Sequence, residues 1–193
     1  MKAWTLYEAK KLVFEERSLP ALSPAEVRVR VMASGICGSD IARIYETGAH
    51  RMPLIPGHEF SGVVEAVGGE VSGRWLGKRV GVYPLIPCKE CDSCRKMRPQ
   101  QCRNYGYLGS RQDGGYAEYV SVPAENLIEL PKDVSYEAAA MLEPAAVAWH
   151  AIRHAVSNRK EPVLVIGLGT IGLLAVMLLR DMGVERVYAL ANK

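Results

Sequence analysis

A chain of 193 residues that is 49% hydrophobic carries enough apolar material for one complete domain and part of another. Its formal charge of +3 is too small to call for a nucleic acid or a charged membrane surface as partner. Of its five cysteines, four fall in one loop, an odd count and a local cluster that argue against a disulfide framework and for a reducing, cytoplasmic setting.

Met1-Lys2-Ala3-Trp4 does not begin a signal peptide, and residues 1 to about 130 read as short strands punctuated by turns. Val27-Arg28-Val29-Arg30-Val31 alternates apolar and charged side chains, the two-residue period of a half-buried strand. Val63 to Val67 and Arg79 to Tyr83 follow the same pattern, ending at Gly68 and Pro84, so an antiparallel, barrel-like domain is expected. Between these strands come Cys37-Gly38-Ser39-Asp40, then Gly57-His58-Glu59, then the run Cys88, Cys91, Cys94 and Cys102.

Near Pro131 the texture changes. Ser135 is suited to cap a helix over Tyr136 to Leu142, and Pro144 is expected to interrupt it and start another, leaving Glu143 at the break. Val163-Leu164-Val165-Ile166 is a continuous apolar run of the kind found in parallel strands buried on both faces. The apolar stretch continues to Leu179 but falls short of the ~20 residues of a membrane span, and its glycines fit a strand, a turn and a helix better. Gly167-Leu168-Gly169-Thr170-Ile171-Gly172 leaves that strand, after which Ile171, Leu174, Ala175, Leu178, Leu179 and Met182 recur at helical spacing. Gly183 ends the helix, and Val187 to Leu190 begins another strand. The pattern is that of a first domain over 1–155 and the start of a dinucleotide-binding domain over 156–193, the front part of a longer protein.

The spacing Cys88-x-x-Cys91-x-x-Cys94, then Cys102, is that of a closed four-thiolate zinc site that holds structure. An iron-sulfur cluster is the rival, but bacterial ferredoxins place their fourth cysteine before a proline and on another cluster. The loop's five Lys and Arg residues against Glu90 and Asp92 read as a solvated basic surface rather than a nucleic-acid module, because no aromatics interleave them. His58-Glu59 lacks the second histidine of a zinc protease, since position 62 is Gly62. Alone it would be structural; with Cys37 and Glu143 it becomes a ligand set of mixed softness, as in zinc sites that keep a position open. Asp40 is placed to orient His58, and Ser39 to relay a proton. The glycine turn would put pyrophosphate on backbone N–H groups at a helix N-terminus. The strand that follows ends Ala191-Asn192-Lys193, with no carboxylate for the adenosine ribose, which favours NADP over NAD, with Lys193 toward a 2′-phosphate.

Gly57-His58-Glu59-x-x-Gly62 with Gly68 and Val71 is similar to the signature of the zinc-containing medium-chain dehydrogenase/reductases. The Cys37 run, the four-cysteine lobe, Asp113-Gly114-Gly115-Tyr116-Ala117-Glu118-Tyr119 and the glycine turn follow in that family's order. Glu143-Pro144 resembles the sorbitol dehydrogenase branch, and Gly48-Ala49-His50 and Gly109 to Gly115 resemble the galactitol-1-phosphate dehydrogenase branch. The resemblance implies a GroES-like catalytic domain before a Rossmann domain, catalytic zinc at Cys37, His58, Glu59 and Glu143, and structural zinc at Cys88, Cys91, Cys94 and Cys102. It implies an NAD(P)-linked exchange between a secondary alcohol of a polyol or polyol phosphate and the ketose, in a homodimer or homotetramer. Ser39 would pass the proton outward, with His50 a later relay member, and Arg43 is a candidate partner for substrate phosphate. Alternatives left open are an NADPH-dependent reductase of another ketone or aldehyde and a non-catalytic fragment; a zinc-free quinone reductase would lack the ligands.

Overall fold

The alternating valines of the first half do what their period demands. In the computed structural model, which describes residues 1–191, they form one face of a five-stranded antiparallel sheet. A hairpin of β1 (Lys2–Glu8) and β2 (Lys11–Glu16) precedes it. The sheet strands in chain order are β3 (Glu26–Ser34), β4 (Phe60–Val67), β5 (Arg79–Val82), β8 (Tyr119–Pro123) and β9 (Leu127–Glu129), in the spatial order β8-β3-β4-β5-β9. A short pair, β6 (Leu85–Ile86) with β7 (Gly106–Tyr107), brackets the cysteine loop. Val27, Val29, Phe60, Val64, Val80, Val82, Val120 and Val122 meet on the inner side with Leu108 and Leu127. Each such side chain withdrawn from water contributes about 1.5–3 kcal/mol.

Between β3 and β4 lies α1 (Gly38–Ala42), which runs into a π-helical turn over Arg43–Thr47. Within the cysteine loop sits α2 (Asp92–Arg95). Ser135 caps α3 (Tyr136–Ala140) as expected, its hydroxyl accepting from the Ala138 N–H at 3.1 Å. The helical break falls at Met141 rather than at Glu143, and α4 (Leu142–Ala155) begins before the proline. Glu143 and Pro144 therefore both lie in the first turn of α4, where the missing proline N–H costs nothing.

The chain divides into two compact units at this break, Met1–Met141 and Leu142 onward. The division precedes the boundary expected at 155/156, because α4 packs against α5 (Thr170–Asp181) through Ile152, Leu179 and Val184. The second unit pairs β10 (Val163–Ile166) with β11 (Val187–Leu190) in parallel register, Val163 opposite Val187, which is the start of a Rossmann fold. One expectation is corrected here. Only one face of the β10–β11 pair is covered, by α5 against Val163, Val165 and Val187, while Leu164 and Ile166 on the other face are exposed. No helix among the described residues is long and apolar enough to cross a membrane.

Candidate metal centres and cofactor turn

Cys37 is the N-cap of α1, with extended backbone, and Asp40 is the third helical residue after it. At that spacing the Asp40 carboxylate reaches back to the Cys37 N–H at 3.2 Å, so one helical turn fixes the thiol and the acid together. His58 and Glu59 arrive on the entry to β4, which pairs with the end of β3 through Ser34 and Phe60. Both are buried, and Gly35 makes room for the acid: a Cβ there would stand 2.4 Å from Glu59 Oε2. The Cys37 thiol, a ring nitrogen of His58 and a Glu59 oxygen lie within 4.8 Å of one another.

Asp40 is fully buried and sits behind this triad. Its Oδ1 pairs with Arg43 Nη1 at 2.5 Å and stands 3.4 Å from His58 Nδ1; its Oδ2 accepts from Tyr116 Oη at 2.9 Å and from the Cys37 N–H. The His58 contact is an ion pair at best, because the buried Nδ1 has no partner of hydrogen-bond geometry. Burial disfavours the imidazolium, yet Asp40 and Cys37 outweigh it and raise His58 to about 9. Burial likewise pushes Asp40 up, but His58, Tyr116 and Arg43 together hold it below the usual carboxylate range. A half-buried thiol facing a buried imidazole and a buried carboxylate, with a ring nitrogen that lacks a hydrogen-bond partner, is a donor set that fits a zinc ion, which would balance the anionic ligands.

The closed set is also assembled. Cys88, Cys91, Cys94 and Cys102 are all free thiols whose sulfurs lie within 4.8 Å of each other. Individual separations are 4.0 Å for Cys88 to Cys94, 3.5 Å for Cys91 to Cys94 and 3.9 Å for Cys91 to Cys102. A tetrahedral ion with zinc–sulfur bonds of about 2.3 Å separates its ligand sulfurs by about 3.8 Å. Backbone N–H groups of Cys94 and Arg103 lower Cys91 to about 6, whereas burial and the sulfurs of Cys91 and Cys102 push Cys94 up to about 12. Four thiols this close cannot all ionise unless a cation joins them, so this set too fits zinc.

Of the remaining sequence candidates, Ser39 is exposed on α1 and His50 is exposed in the bend after the π-helical turn. Arg43 Nη1 donates to Asp40 Oδ1, three residues away on the helix, where side chains are neighbours. Glu143 lies in the second unit, within the first turn of α4. Sequence reasoning gave Tyr116 no role, because its hydroxyl meets Asp40 only through the tertiary fold.

The glycine turn has the expected form. Gly167 takes a φ of +93° at the end of β10, Gly169 is the N-cap of α5, and Thr170, Ile171 and Gly172 make its first turn. A Cβ on Gly172 would come within 1.8 Å of the Gly167 carbonyl oxygen, so helix and turn can close only around a glycine. Ala191 follows β11; Lys193 lies outside the described residues.

The model of the alcohol dehydrogenase GroES-like domain matches residues 23–132, which contain the Cys37 turn, the His58-Glu59 pair and the whole cysteine lobe. The chain belongs to the zinc-containing medium-chain dehydrogenase/reductase family. Among curated members, galactitol 1-phosphate 5-dehydrogenase of Escherichia coli K12 is 44% identical over 165 residues, covering 86% of this chain and 48% of the relative. An alcohol dehydrogenase from Escherichia coli CFT073, solved in complex with NADH, superposes with a TM-score of 0.91 at 38% identity, over 98% of this chain and 56% of that one. A thermostable alcohol dehydrogenase from Pyrobaculum aerophilum with cobalt and zinc bound gives a TM-score of 0.88 at 35% identity, over 100% and 60%. The chain thus spans about half the length of the curated relatives it matches. The GroES-like fold, the Rossmann start and the family's association with zinc and NAD(P) agree with the sequence expectations.

Proposed function

We propose that the chain is the metal-bearing half of a zinc-dependent, NAD(P)-linked polyol dehydrogenase, interconverting a secondary alcohol of a polyol or polyol phosphate and the corresponding ketose. The observation that carries the reading is the pair of ligand sets of opposite kind in one family member: four converging thiols, and a half-buried thiol with a buried imidazole and carboxylate and an acid behind them. Support for the substrate class comes from the identity to galactitol 1-phosphate 5-dehydrogenase.

Cys37, His58 and Glu59, joined by Glu143, would hold the catalytic zinc, and Cys88, Cys91, Cys94 and Cys102 the structural one. When bound, zinc supplies Lewis acidity to a substrate hydroxyl, and the nicotinamide cofactor supplies the hydride acceptor. With Nδ1 turned toward Asp40, His58 has Nε2 left for the metal, and the carboxylate fixes the ring's tautomer and orientation. Arg43 pairs with Asp40 and helps keep the buried carboxylate ionised behind the site. Ser39 at the exposed side of α1 would carry the hydroxyl proton toward solvent, with His50 beyond it. The residues Gly167, Gly169, Thr170, Ile171 and Gly172 would seat the cofactor's pyrophosphate on the α5 N-terminus, and the uncharged Ala191 leaves room for a 2′-phosphate, with Lys193 as its partner.

The test is turnover by the full-length protein on a panel of polyols and polyol phosphates with NAD and with NADP. The expected result is oxidation of polyols or their 1-phosphates, with higher kcat/KM for NADP. Activity confined to reduction of simple aldehydes or unrelated ketones, or no activity with metal fully loaded, would contradict the polyol reading. Clear preference for NAD would contradict the cofactor assignment alone.

A further inference from the structure

Asp40 has two oxygens with different duties. Oδ1 faces both His58 Nδ1 at 3.4 Å and Arg43 Nη1 at 2.5 Å, so ring nitrogen and guanidinium share one carboxylate oxygen. A small rotation of the carboxylate away from His58 would take Oδ1 out of reach of Nδ1, which is buried and has no hydrogen-bond partner. What resists that rotation is the anchoring of Oδ2. It accepts from the Cys37 N–H at 3.2 Å and from Tyr116 Oη at 2.9 Å; the Gly35 carbonyl, 3.2 Å from the same hydroxyl, is the weaker alternative acceptor.

Tyr116 is itself anchored through its backbone and its ring. Its N–H donates to the Pro56 carbonyl at 3.0 Å, and its carbonyl accepts from the Trp4 N–H at 2.8 Å. Its ring fills the space that Gly57 leaves, since a Cβ on Gly57 would lie 2.4 Å from ring Cδ1. The hydroxyl is therefore delivered to Asp40 by a ring packed against Gly57. Burial and then the Asp40 charge push the phenol well above its ordinary range, which keeps the proton on the oxygen and the oxygen a donor.

We propose that Tyr116 is a positioning residue for the open metal site, its hydroxyl locking the Asp40 carboxylate so that Oδ1 keeps facing His58 Nδ1 while it pairs with Arg43. This rests on the reading that Cys37, His58 and Glu59 hold a metal, and it adds a residue from the Asp113–Tyr119 loop to that site. Hydrogen-bond partners of a metal's own ligands typically tune affinity by about 10–100-fold, and Tyr116 acts through one such partner, Asp40.

The experiment compares wild type, Tyr116→Phe, Asp40→Asn and the double variant in the full chain. Two readouts are used: zinc affinity of the open site by chelator competition, and the visible spectrum after Co2+ is loaded there. Zinc retained by the four cysteines reports that the unit is folded. Tyr116→Phe is expected to weaken open-site zinc by about 10–100-fold and to shift the cobalt bands, with the closed site unchanged. In the Asp40→Asn background the same change should add less than about 2-fold, because the hydroxyl acts through that carboxylate. Unchanged affinity and spectrum in Tyr116→Phe, or losses that simply add in the double variant, would overturn the positioning role alone. Wild type that loads no metal outside the four cysteines would overturn the metal reading and this role with it.

Discussion

At the scale of single residues, space matters as much as chemistry. Gly57 precedes His58 in a left-handed conformation, φ +94°, with the Tyr116 ring where its side chain would be. Gly57→Ala must strain the backbone and displace the ring, and a cost of about 1–3 kcal/mol is expected for a residue forced into such a region. The predicted outcome is a lower melting temperature together with weakened open-site zinc, measured by calorimetry and chelator competition. An alanine variant with both properties unchanged would show that the ring is free to move. The Gly57-His58-Glu59 motif was legible in the sequence, but the reason for its glycine was not. The partner that demands it is Tyr116, far along the chain, and no local period links the two.

At the scale of elements, each ligand set is built by a turn that the sequence announces. Cys91 caps α2 as Cys37 caps α1, and Lys89, at φ +65°, bends the chain between the first two thiols of the lobe. Apparent binding of structural zinc is about 10–16 kcal/mol in isolated zinc-finger peptides, as large as the ~5–15 kcal/mol stability of a whole domain. Cys91→Ser is therefore expected to lose the lobe's zinc and to leave residues 88–102 open to proteolysis, which limited digestion followed by mass analysis would detect. A protected lobe without zinc would contradict the structural assignment. Ser135 offers a smaller and cleaner case: its hydroxyl caps α3 through the Ala138 N–H, so Ser135→Ala should cost about 1 kcal/mol in denaturant unfolding with the metal sites untouched. Strands, caps and the glycine turn were legible because two-residue and 3.6-residue periods and capping residues are local signals. The break at Met141 was not, because Pro144 is tolerated anywhere in the first turn and cannot by itself mark where that turn begins. Nor was the pairing of Arg43 with Asp40, since a basic residue one turn from an acid reads equally well as a ligand group or as a counterion until burial decides.

At the scale of the whole chain, two donor sets of opposite kind lie in one GroES-like unit, followed by the first strands and helix of a nucleotide-binding unit. The sequence reading of both ligand sets rested on spacing and on resemblance; the structure adds that each set converges, three donors and four sulfurs each within 4.8 Å. Glu143, in the other unit, belongs to the proposal through its place after the helical break and the family's pattern. The most direct test is zinc content per folded full chain, by metal analysis of wild type and of Cys37→Ala. The account predicts two zinc ions in wild type and one in a Cys37→Ala protein that stays folded but no longer turns over substrate. A single zinc in folded, active wild type, or two zinc ions retained in Cys37→Ala, would contradict it.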